Sequence, residues 1–166
     1  MSHKRSETES YVSELRLLIE EFCVDLLRCA HIAQDGIDPD EYRLERGVDI
    51  GHPDVFANIR VAVPGKPPYF VEVKYGYSTE LLLQLLRRKY GTPTPQTQDA
   101  TKGLLVVDAS AHADWPSVEA RIAKCLRPGL TLEVWNEQRL LAELRERFDV
   151  EARDLRYETW RSGACR

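Results

Sequence analysis

From residue 11 to 34, apolar residues recur at three- and four-residue intervals: Val12, Leu15, Leu18, Ile19, Phe22, Leu26 and Ala30. On a helix these positions stack into one stripe, so the spacing predicts an amphipathic helix. Glu14, Glu21 and Asp25 fall together on one flank of that stripe. Asp35-Gly36, with Pro39 beyond, ends it. Residues 42–50 read as a first strand, with Gly47 as its weak point. From Asp54 to Val63 the period changes to two. Val55, Ala57, Ile59, Val61 and Val63 point one way, and Asp54, Phe56, Asn58 and Arg60 the other. Residues 64–68, Pro-Gly-Lys-Pro-Pro, form a turn. Tyr69 to Tyr75 alternates again, with Val71, Val73 and Tyr75 opposite Phe70, Glu72 and Lys74.

Ser78 caps a helix that runs to about Tyr90, with Glu80 in its first turn and Arg87, Arg88 and Lys89 in its last. Residues 91–102 read as a loop. Leu104 to Val107 has the continuous apolar run of a strand covered on both faces. A helix over 116–126, a strand over 130–135 and a helix over 136–148 follow. Hairpin-linked strands succeeded by strands alternating with helices predict an α/β domain with a mixed central sheet flanked by helices. Residues 1–10 read as a flexible lead-in, 11–150 as the domain and 151–166 as a C-terminal tail.

Composition narrows the class. The chain has 166 residues, 43% of them hydrophobic, and a net charge of −4. Length and composition fit one ordinary domain, and no apolar run is long enough to cross a bilayer. The polar start carries no apolar segment of a secretory signal. Four cysteines without CxxC or metal-site spacing read as reduced thiols of a cytoplasmic protein. An acidic chain that binds nucleic acid must do so through a local basic patch.

The chemistry gathers on one hairpin. Glu72 and Lys74 are two residues apart on a strand, so they share a face. Glu-x-Arg spacings are common elsewhere in this chain, but mostly in predicted helices. An adjacent strand carrying Asp54 would add a second carboxylate. Two carboxylates beside a lysine suit metal-dependent phosphodiester hydrolysis. Oxygen ligands hold Mg²⁺, the metal polarises a phosphate and activates a water, and the ammonium orients that water or neutralises developing charge.

Pro53-Asp54 followed, after seventeen residues, by Glu72-Val73-Lys74 resembles the PD-(D/E)xK signature of the restriction-endonuclease-like nuclease superfamily. The resemblance extends to element order over about residues 11–108: that superfamily's core is αβββαβ, here with an αβα extension. It implies a Mg²⁺-dependent (or Mn²⁺-dependent) DNA endonuclease, with Asp54 and Glu72 as metal ligands and Lys74 as catalytic base or stabiliser. It also implies a glutamate of the first helix near the metal, for which Glu21 is the best match. Three features depart from the pattern. The turn composition, centred near residue 66, sets Arg60 opposite Glu72 in regular pairing, so convergence with Asp54 needs a bulge. Asp49 is a rival for the aspartate. Gln84 and Tyr90 have the wrong spacing for the Gln-x-x-x-Tyr motif of some branches.

Arg87, Arg88 and Lys89 are the candidate phosphate contacts, and their position at a helix C-terminus also suits the helix dipole. Cutting both strands of a duplex calls for two sites, which a homodimer would supply. Two other functions fit the same residues. One is a nuclease-fold sensor or adaptor that no longer cleaves and serves an attached effector. The other is a protein-binding α/β domain whose acid-x-lysine pair is incidental.

Overall fold

The computed structural model describes residues 2–148. Helix α1 spans Ser2–Arg28 and passes into a π-helical turn, Cys29–Gln34. No Gly or Pro precedes Gly36, so nothing stops the helix from extending back through the residues expected as a lead-in. Strands β1 (Arg43–His52), β2 (Val55–Ala62) and β3 (Tyr69–Lys74) follow. Then come α2 (Thr79–Tyr90), β4 (Lys102–Val107), a 3₁₀ turn (Ala109–Ala111), α3 (Trp115–Cys125), β5 (Thr131–Trp135) and α4 (Glu137–Phe148). The expected tail, 151–166, lies outside the described residues.

The five strands form one sheet in the order β1-β2-β3-β4-β5. β1, β2 and β3 pair antiparallel, and β3, β4 and β5 pair parallel. A parallel step needs a crossover, and α2 supplies it between β3 and β4. Ser78 caps α2 by accepting from the Leu81 amide.

Alternation along β3 and β4 separates two cores. Val71, Val73, Leu104 and Val106 pack with Ile19, Phe22 and Leu26 of α1 and Leu140 of α4. Phe70, Leu105 and Val107 pack with Leu82 and Leu86 of α2 and Val118 and Ile122 of α3. The result is a sheet between two helical layers. Fully burying a Leu such as Leu82 or Leu86 stabilises the fold by about 1.5–3 kcal/mol.

All six residues of β3 are buried. The sequence pattern implies one apolar side and one that carries Glu72 and Lys74, and α2 lies over the latter and buries it. Among the described residues, no helix is long and apolar enough to cross a membrane. Cys23 and Cys125 are free and buried, and burial pushes the Cys23 thiol up to about 12. Cys29 is disulfide-bonded, in contrast to the expectation of four reduced thiols.

Candidate functional site

The site starts from a register. β2 and β3 pair Ile59 with Val71, Arg60 with Phe70 and Val61 with Tyr69. This centres their turn on Gly65, one residue earlier than the turn composition suggests. Asn58, not Arg60 or Asp54, therefore stands across from Glu72.

Regular pairing stops at this point. The Val73 amide donates to the side-chain Oδ1 of Asn58 (3.1 Å), which also accepts from Lys74 Nζ (2.7 Å). On its other side, β2 pairs Arg46 with Ile59 and Val48 with Ala57, which leaves Gly47 opposite Asn58. Gly47 has φ +59, a left-handed conformation that glycine adopts without strain. Val55 and Ala57 join the α2 core, whereas Ile59, Val61 and Val63 join the α1 core. β2 changes sides at Asn58, and the Asn58 amide bridges the gap.

Glu72 is fully buried. One carboxylate oxygen takes Lys74 Nζ at 2.6 Å and Lys89 Nζ at 2.7 Å, and the other accepts from the Tyr90 hydroxyl at 2.6 Å. Lys74 and Lys89 are themselves buried. A buried carboxylate tolerates desolvation when it is paired and hydrogen-bonded on all sides, and this one is. Burial alone would raise the Glu72 pKa, but Lys74 and Lys89 together hold it below the ordinary carboxylate range. Burial lowers the Lys89 pKa; Glu72 opposes that shift and Lys74 adds to it. Burial, reinforced by Glu72, pushes the Tyr90 hydroxyl well above its usual range.

The other candidates lie apart. Pro53 and Asp54 are the two loop residues of the hairpin in which His52 pairs with Val55. Asp54 is exposed, with φ +55, a conformation Asp tolerates in tight turns. It does not stand on the strand face beside Glu72. Asp49 is exposed on β1 and accepts from the Gly51 amide at 2.8 Å. Glu21 pairs with Arg46. Glu20, the chain neighbour of Glu21 on α1, pairs with the same Arg46 and accepts from Asn58 Nδ2 at 3.3 Å. Lys89 turns inward to Glu72, so it cannot join Arg87 and Arg88, both exposed, as a phosphate contact.

Sequence reasoning missed Asn58, Lys89 and Tyr90 as partners of the Glu72–Lys74 pair. For two of them the signal was present. Leu82, Leu86, Lys89 and Tyr90 share the four-, seven- and eight-residue spacings of one helical stripe, so the lysine belongs to the face that packs on the sheet.

A divalent metal needs free oxygen donors with an excess of negative charge. Here one carboxylate faces two amines and a phenol, and an amide occupies the cross-strand position. Among the described residues, no three His, Cys, Asp or Glu side chains converge in a group able to hold a metal ion. The donor set does not fit Mg²⁺. Neither a protein-family model nor a curated protein matches the sequence.

Proposed function

We propose that this chain is a restriction-endonuclease-like domain that has lost metal-dependent cleavage and works as a sensor or adaptor module for an effector. One observation carries the reading: the carboxylate of the Glu-x-Lys strand is closed by Lys74, Lys89 and Tyr90, with Asn58 where a second carboxylate would stand. The fold class is in keeping with the nuclease ancestry. α1 covers one sheet face, an antiparallel three-strand meander follows, and α2 crosses over the other face to a parallel strand. Glu72 and Lys74 stand two residues apart on β3, as the resemblance implies, and the groups around them suit a closed ion network.

A second reading, a Mg²⁺- or Mn²⁺-dependent DNA nuclease, is favoured by the direct Glu72–Lys74 contact and by Glu20 reaching Asn58 from α1. Calorimetric titration with Mn²⁺, paired with a supercoiled-plasmid cleavage assay, separates the two. The adaptor reading expects no saturable heat and no cleavage from the natural chain. Asn58→Asp combined with Lys89→Met, which sets two carboxylates against the single amine of Lys74, is expected to gain measurable Mn²⁺ binding. Cleavage by the natural chain that Lys74→Ala abolishes would establish the nuclease instead.

A further inference from the structure

We propose that the groove between α2 and α3 docks an acidic amphipathic helix of a partner protein. The proposal goes beyond the Glu72 site and does not depend on whether that site binds metal. The groove encloses about 530 Å³, and its walls are two helical stripes. Leu83, Arg87 and Arg88 come from α2, and Arg121, Lys124 and Cys125 from α3. Leu83 and Cys125 are buried at the floor, and the four cationic side chains are exposed above it. The Arg87 guanidinium stands over Cys125, 3.9 Å from its Sγ.

Charge selects the occupant. The chain carries a net −4, yet this groove gathers four cations and one carboxylate, Glu80. Among the described residues only Arg121 approaches that carboxylate, at 4.0 Å, and both side chains are half-exposed or more. Arg88 donates to the Pro53 carbonyl. Among the described residues, Arg87, Arg88 and Lys124 have no carboxylate within ion-pair distance. Like charges set along a concave wall focus a positive potential into it.

The apolar component selects a protein over a nucleic acid. Arginine and lysine bury their aliphatic stems while the charged heads stay in water, so these walls are greasy low down and cationic at the rim. A phosphate backbone has nothing apolar to set between such stems. A helix with leucines on one stripe and glutamates beside it satisfies both parts, in the helix-in-groove mode.

The test uses fluorescence anisotropy on the natural chain with a labelled synthetic helix, leucines on one stripe and glutamates flanking it. Saturable binding is expected, weakening as salt rises and falling about tenfold or more in Arg87→Glu/Lys124→Glu. Both substituted residues are exposed, and an unchanged melting temperature would show the variant is folded. Should the variant fail to fold, the salt dependence and the peptide controls on the natural chain decide the matter. The same peptide with serines for leucines should not bind. Equal binding by the serine peptide would reduce the groove to an ion exchanger and overturn the proposal. So would no binding of the leucine peptide, or binding of a labelled DNA duplex in its place.

Discussion

Replacing the Glu72 carboxylate with an amide of the same shape, as in Glu72→Gln, leaves two buried amines without an anion. Removing one partner from a buried ion pair costs about 3–5 kcal/mol, and urea unfolding should show a loss of that size. Lys89→Met removes an amine but leaves Glu72 with Lys74 and the Tyr90 hydroxyl, so its loss should be smaller. Combined with Glu72→Gln, it should cost less than the two single losses added together, because the residues form one network. Additive losses would mean that Lys89 and Glu72 are neighbours without mutual dependence.

At the scale of elements, β2 depends on one backbone conformation opposite Asn58. Nothing lies within 4 Å of a Cβ built on Gly47, so Gly47→Ala meets no steric clash. Its cost is the left-handed backbone alone, about 1–2 kcal/mol, measurable by urea unfolding with an unchanged denaturant slope. A negligible loss would mean that the strand changes sides without help from Gly47. The helices and strands were legible in the sequence because their periods differ and their ends carry caps and breakers. Glu72 and Lys74 were legible as a pair because strand residues two apart share a face. The remainder turned on register and layering. Centring the turn on Gly65 and not one residue later exchanges Arg60 for Asn58 opposite Glu72. That α2 would roof the face which alternation marks as polar depends on a crossover, and strand periodicity carries no record of it. Asp54 sat in the right sequence neighbourhood, but a two-residue turn takes it off the strand.

For the whole molecule, the buried network sets how stability responds to acid. The folded pKa of Glu72 lies below the ordinary carboxylate range, so the unfolded chain takes up its proton first as pH falls. The stabilising contribution is present above about pH 4.3, the usual glutamate value, and is lost as pH drops through the folded value. Glu137, held low by the Ser110 hydroxyl against the opposing effect of burial, acts in the same direction. Urea unfolding between about pH 6 and pH 3 should show stability falling with acid, and a shallower fall in Glu72→Gln. An unaltered slope would mean that Glu72 titrates alike in both states. On the alkaline side, Lys89 and Tyr90 oppose each other. A lowered lysine pKa favours the fold as pH rises toward 10.5, whereas a raised tyrosine pKa disfavours it above 10.

The bridge from Asn58 to the Val73 amide also gives β3 a built-in clock. Strand amides in the middle of a covered sheet exchange with solvent deuterium only when a large part of the molecule opens. Val73 should follow that rule only while the Asn58 side chain remains in place, because its partner is an amide group on a rotatable stem and not a neighbouring backbone. Asn58→Leu is therefore expected to speed deuterium uptake at Val73 while Val71, which pairs directly with Ile59, keeps its rate. Equal acceleration at both positions would mean that Asn58 holds the hairpin together as a unit and does more than guard one amide.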